Sequence, residues 1–262
     1  MTLRKGILVL LVLAIFLNLI SIGFVATVGH PPAVMTPLTT LVTFLFAVLH
    51  AGGSFGWRRA FVLLALVIVT GLAFESIGVA TGLVYGPYHY TDQLGAKFLG
   101  LVPYIIPVAW FMMIYPSFRI ANDLAARLLP DGFWQGVLSA ALGAVAMTAW
   151  DLAMDPMMVA AGHWVWEQPG AFFGVPLQNF WGWWLTTFTP LGLYLVVRRW
   201  LPGKDAGWLP TGLTTAAYAT MGLSTIVTDF LIGLSGPGLV GVFAMLPWIV
   251  SGWSAGRKPA RE

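Results

Sequence analysis

The sequence predicts an all-α integral membrane protein of about eight transmembrane helices, with both termini in the cytoplasm. Three observations predict it: too little charge for a water-facing surface, eight apolar runs long enough to cross a bilayer, and basic residues gathered on one side of those runs. Of 262 residues, 58% are hydrophobic and 9% charged, with a mean hydropathy of +0.84. A soluble domain carries about 25% charged residues.

A spanning helix takes about 20 mostly apolar residues. Such runs lie at 6–28, 34–52, 60–82, 98–117, 134–156, 180–197, 211–234 and 238–254. The first follows Arg4 and Lys5. It is longer than a signal-peptide core of roughly 7–15 residues, so it reads as a retained span. Only Ser235-Gly236-Pro237-Gly238 separates the last two. With no linker, strand signal or internal repeat, residues 1–262 read as a single polytopic domain of the cell membrane.

The basic residues orient these spans. With the N-terminus inside, the cytoplasmic segments hold Arg4, Lys5, Arg58, Arg59, Arg119, Arg127, Arg198, Arg199, Lys204, Arg257, Lys258 and Arg261, and the opposite side keeps Lys97. Twelve against one is a positive-inside pattern, and it requires an even number of spans. These residues sit in short loops between apolar runs, so the net charge of +3 indicates no nucleic-acid partner. The chain has no cysteine, which excludes disulfides, thiolate metal sites and cysteine nucleophiles.

Two outer connections stand apart from the short basic inner loops. One runs from Tyr85-Gly86-Pro87-Tyr88-His89-Tyr90 to Lys97, the other from about Ala160 to Phe180 with Trp164, Trp166 and Asn179. Both are aromatic and rich in Gly and Pro. An interfacial aromatic belt would account for single Trp and Tyr residues, but a belt would appear at both faces.

Four carboxylates fall within predicted spans: Glu75, Asp151, Asp155 and Asp229. A charge at a helix centre costs roughly 2.5–3.5 kcal/mol on insertion scales, so such residues are functional candidates by default. All four lie in the outer halves of spans that run outward, beside the aromatic loops. Asp151 and Asp155 are four apart and share a helical face. In a poorly hydrated place they form a coupled pair able to share a proton, as general acid catalysis requires. Capping a broken helix, or bonding Trp and Asn donors, is the competing structural role. The four histidines show no helical metal-ligand spacing, and there is no phosphate loop, nucleophile elbow or cofactor fingerprint. No metal site and no cofactor are expected.

Two longer patterns carry a resemblance. The first is Glu75-x-x-Gly78-x-x-Thr81-Gly82-x-x-Tyr85-Gly86-x-Tyr88-x-Tyr90, then Leu94-Gly95 and Pro103. The second is Asp151-x-x-x-Asp155-Pro156, Gly162-x-Trp164-x-Trp166 and Gly174-Val175-Pro176-x-x-Asn179-Phe180-x-Gly182-Trp183. Together they resemble the signatures of a family of bacterial and archaeal carotenoid biosynthesis membrane proteins. Its characterised members are carotenoid 1,2-hydratases of the γ-carotene, lycopene and bisanhydrobacterioruberin type. Tyr85 departs from the family, which carries Phe before that Gly.

The resemblance implies addition of water across the terminal double bond of an acyclic ψ-end, with an acyclic or monocyclic carotenoid as substrate. Membrane lipid, and possible contacts with other carotenoid biosynthesis enzymes, follow as partners. The chemistry then suggests roles. Asp151 or Asp155 donates a proton to C2. Glu75 and Asn179 hold and deprotonate water. Tyr88, Tyr90, Trp164 and Trp166 form an aromatic wall for the cation at C1. Tyr85, Trp183 and Asp229 complete the expected substrate contacts. The alternatives are a transporter or proton-coupled carrier, built on the same intramembrane carboxylates, a histidine-dependent membrane oxygenase, and a non-catalytic carotenoid-binding protein.

Overall fold

In the bilayer core no water is present to bond the backbone, so each apolar run must close its own hydrogen bonds as a helix. The computed structural model describes residues 2–203 and 209–255 and is mostly helical. Among them are eight helices: α1 (Leu3–Val28), α2 (Met35–Phe55), α3 (Trp57–Thr81), α4 (Ile105–Leu128), α5 (Phe133–Ala160), α6 (Leu177–Val197), α7 (Thr211–Leu231) and α8 (Ser235–Ala255). Lys204, Arg257, Lys258 and Arg261, counted above as inside charges, lie outside the described residues.

Five helices, α1, α2, α3, α5 and α8, are long and apolar enough to cross a membrane. Of the other three, α4 is central. It packs against α2, α3, α5, α7 and α8, so polar side chains can find partners inside the bundle. Arg119 donates to Thr211 Oγ1 at 3.0 Å, and Thr211 donates to Asp123 at 2.5 Å. The core is aromatic at its centre, with Phe111, Tyr115, Phe118 and Tyr194 almost fully buried.

Three expectations need correction. The fourth helix does not begin at residue 98. Residues 97–103 instead form a small antiparallel hairpin, β2 (Lys97–Phe98) with β3 (Val102–Pro103), turning through Leu99 and Gly100 at positive φ. The helix starts at Ile105 and runs eleven residues beyond the expected end at 117, because its polar residues there are paired within the bundle. Strands also exist: β1 (Tyr88–Tyr90) pairs antiparallel with β4 (Trp164–Trp166). At two or three residues each, these strands are shorter than the 4–8-residue alternation that signals a strand in sequence. Finally, the last two helices are divided at 232–234, with Gly233 at φ 86°. Ser235-Gly236-Pro237-Gly238 forms the first turn of α8, where a proline's missing N–H costs nothing.

Candidate active site

The β1–β4 ribbon joins the two aromatic loops in register, with Tyr88 opposite Trp166 and Tyr90 opposite Trp164. Successive side chains on a strand point to opposite faces. All four aromatics therefore face inward and are buried, while His89 and Val165 point out. On the outer face His89 Nδ1 lies 2.6 Å from Glu167.

Each strand supplies donors to a different helix. From β1, Tyr88 and Tyr90 donate to Oε2 of Glu75 on α3, the latter at 2.9 Å. Trp110 of α4 donates to Glu75 Oε1 at 2.9 Å. From β4, Trp164 and Trp166 donate to Oδ1 of Asp155 on α5 at 3.0 and 3.2 Å. Asn179, in the first turn of α6, gives one amide N–H to Asp155 Oδ2 and the other to Asp151 Oδ2, both at 2.8 Å. Burial, together with the Glu75 charge, holds the Tyr88 and Tyr90 phenols well above the ordinary tyrosine pKa, so they stay protonated at neutral pH.

Tyr85 is wedged between α3 and α6. A Cβ at Gly78 or Gly182 would lie 2.5 Å from its ring, so both positions must be bare. Its hydroxyl meets Thr186 Oγ1 at 2.7 Å. Trp183 packs at a tilt against Trp110, with ring centroids 4.3 Å apart.

A cavity of about 560 Å³ runs through this region. Glu75, Asp155, Asn179, Tyr85, Tyr88, Tyr90, Trp164, Trp166 and Trp183 line it, together with Trp110, Trp150 and His163. His163 is held below the ordinary histidine pKa by burial. Asp151 is fully buried behind Asn179 and does not line the cavity.

Asp229 does not join the group. Its carboxyl is buried without a hydrogen-bond partner among the described residues, beside Gly238 of α8 and outside the cavity lining. The depth expected in common with the other carboxylates does not make it a neighbour, because it lies against α8, where a Cβ at Gly238 would sit 3.2 Å from its own Cβ. Trp110, conversely, belongs to the site although neither aromatic loop contains it. Its signal was an indole N–H midway along an apolar run, which when buried requires an acceptor. No group of three His, Asp or Glu side chains disposed to hold a metal occurs among the described residues.

Fold and site together define a class: a helical membrane protein whose internal cavity presents carboxyl groups held by aromatic and amide donors. The chain belongs to the carotenoid biosynthesis protein family, whose pattern matches residues 33–247. It is also 34% identical over 129 residues to the bisanhydrobacterioruberin hydratase of Haloarcula japonica. That alignment covers 49% of this chain and 42% of the relative. No solved structure matches the chain.

Proposed function

We propose that the protein is a carotenoid 1,2-hydratase, adding water across the terminal C1=C2 bond of an acyclic ψ-end to give a tertiary alcohol. One observation carries the reading. Two carboxyl centres, Glu75 and Asp155, line one aromatic-walled cavity and are held by chemically different donors. Similarity to a named hydratase supports the reaction type.

The donors divide the labour. Indole and amide N–H groups can only donate. The Trp164, Trp166 and Asn179 N–H groups that face Asp155 cannot take its proton, and Asp151 lies on the far side of the shared amide, so the cavity is the direction left. Asp155 is therefore the proton donor to C2. Asp151 anchors the second N–H of Asn179 and so fixes that amide. Protonation leaves the positive charge on tertiary C1, beside aromatic faces that each contribute about 2 kcal/mol when desolvated. Water attacks C1 and passes its proton to Glu75. Tyr88 and Tyr90 suit this side because a phenol both donates and accepts. The proton taken by Glu75 returns to Asp155 through the cavity before the next turnover, so one alkene and one water give one alcohol with no net oxidation or reduction.

A membrane preparation given a ψ-end carotenoid in ¹⁸O-labelled water under argon, with chelator, should yield labelled 1-hydroxy product. In deuterated water one deuteron should enter at C2. Label arriving only from ¹⁸O₂ would replace this reading with an oxygenase, and binding without any product would leave a carotenoid-binding protein.

The reading includes all eight helices as spans, both termini in the cytoplasm and the site at the outer face of the cell membrane. The chain lacks cysteine, so single cysteines report cleanly. Those at Gln93 and Gln168 should react with an impermeant reagent on intact cells, and one at Gly203 should not. Reaction at Gly203 alone would invert the arrangement.

A further inference from the structure

The cavity does not end at the carboxyl centres. It continues between α1, α2 and α7, where its wall carries Asn18, Ser21, Thr40, Ser224 and Thr228. It reaches His30 and Pro31 in the connection between α1 and α2, where His30 is exposed. Two of these polar groups are deeply buried, Asn18 at 5% and Thr40 at 6% exposure. The Asn18 amide donates to the Ala14 carbonyl at 2.8 Å and lies 3.8 Å from the Met221 sulfur. Its carbonyl oxygen, like the Thr40 hydroxyl, has no hydrogen-bond partner among the described residues.

Polar groups in a membrane interior are costly unless something satisfies them. The hydrocarbon end of a carotenoid has nothing to offer them. Water does, provided it finds about two to four polar partners. A different wall of the cavity, with Met112, Met154, Met157 and Met158, is apolar and adaptable, as a polyene would require.

We propose that the arm between α1, α2 and α7 is the water entry of the site, conducting the water that the reaction consumes from the outer surface toward Glu75. This rests on the hydratase reading. It assigns a role to α1 and to Asn18, which lies ahead of the segment matched by the family. It also separates the reactants: water arrives along hydroxyl side chains and the polyene along the methionine wall.

Two measurements test it in the full-length protein in membranes. In the first, Ser21→Cys, Thr40→Cys and Ser224→Cys are treated with a small charged methanethiosulfonate. Leu19→Cys and Leu223→Cys serve as controls on the outward faces of α1 and α7, where the leucines are 61% and 54% exposed. The three inward cysteines should react at least about tenfold faster than the controls, since thiolate forms only where water reaches. Equal rates overturn the proposal. In the second, Thr40→Val and Thr228→Val should lower turnover several-fold while leaving the KM for carotenoid unchanged. A raised KM with unchanged turnover would make the arm a substrate-binding surface and also overturn the proposal. Failure of the hydratase reading looks different: the wild-type chain makes no 1-hydroxy product while the cysteine pattern stays intact.

Discussion

The Glu75 and Asp155 centres look alike by count and differ in kind. Each carboxyl accepts three hydrogen bonds from buried side chains. Around Glu75 two of the three donors are phenols, groups that can hand a proton on. Around Asp155 all three are N–H donors that cannot. Asp155 has a second carboxyl, Asp151, behind a shared amide, whereas Glu75 is the lone carboxylate on its helix. Counting hydrogen bonds would therefore make the centres equivalent, while asking which partners can accept a proton makes one a donor to substrate and the other a receiver from water. This asymmetry orders the expected effects of substitution.

The largest losses should follow removal of the acid–base groups themselves. Asp155→Asn and Glu75→Gln should each lower hydration by about 10²–10⁴-fold, the usual contribution of a positioned acid or base. Quantified protein in the membrane fraction controls for insertion, and pigment analysis in a lycopene-producing host gives the product. Asp151→Asn should cost less than Asp155→Asn, because Asp151 does not reach the cavity. Equal losses at the two would return Asp151 to the role of proton donor.

Next come the donors. Losing one hydrogen bond to a charged group costs about 1.5–3 kcal/mol, so each of Tyr88→Phe, Tyr90→Phe, Trp164→Phe and Trp166→Phe should slow turnover roughly ten- to a hundredfold. The comparison is sharpened by the solvent deuterium isotope effect. The tyrosine variants should change it, because they interrupt a proton path, and the tryptophan variants should leave it as in wild type. The same change in all four would erase the proposed division.

Trp110→Phe should cost about tenfold, at the lower end of that range, since Trp183 still packs beside the ring. In the Glu75→Gln background it should cost almost nothing more, because the two residues act through one bond. Full additivity would show that Trp110 acts independently of Glu75.

The smallest effect on chemistry is expected at the wedge. Gly182→Ala places a Cβ against the Tyr85 ring, and overpacking of this kind costs about 1–3 kcal/mol. Thermal unfolding in detergent should shift downward while the remaining folded protein keeps its product profile. An unchanged melting temperature would mean that α6 and the Tyr85 loop can part without cost.

What the sequence by itself determined is what is local. Helices are legible because each closes its backbone bonds within its own residues, so long apolar runs mark them. The face shared by Asp151 and Asp155 follows from helical period, and the twinned aromatic loops are visible as composition. The eight helices and the carboxyls on α3, α5 and α7 were readable in this way. Tertiary structure decided the partners. Nothing near Glu75 in sequence indicates that Trp110, thirty-five residues on, supplies its third donor. Nothing near Asp229 indicates that it lies apart from the other carboxyls. The pairing of Tyr88 with Trp166 spans 78 residues and uses strands too short to leave a periodic trace. The start of α4 moved because the hairpin at 97–103 takes the backbone bonds that a helix there would have used. A local hydrogen bond is dictated by neighbours in the chain. A buried carboxyl takes whichever donor the packing of other helices brings within reach, and that choice exists only in the folded molecule.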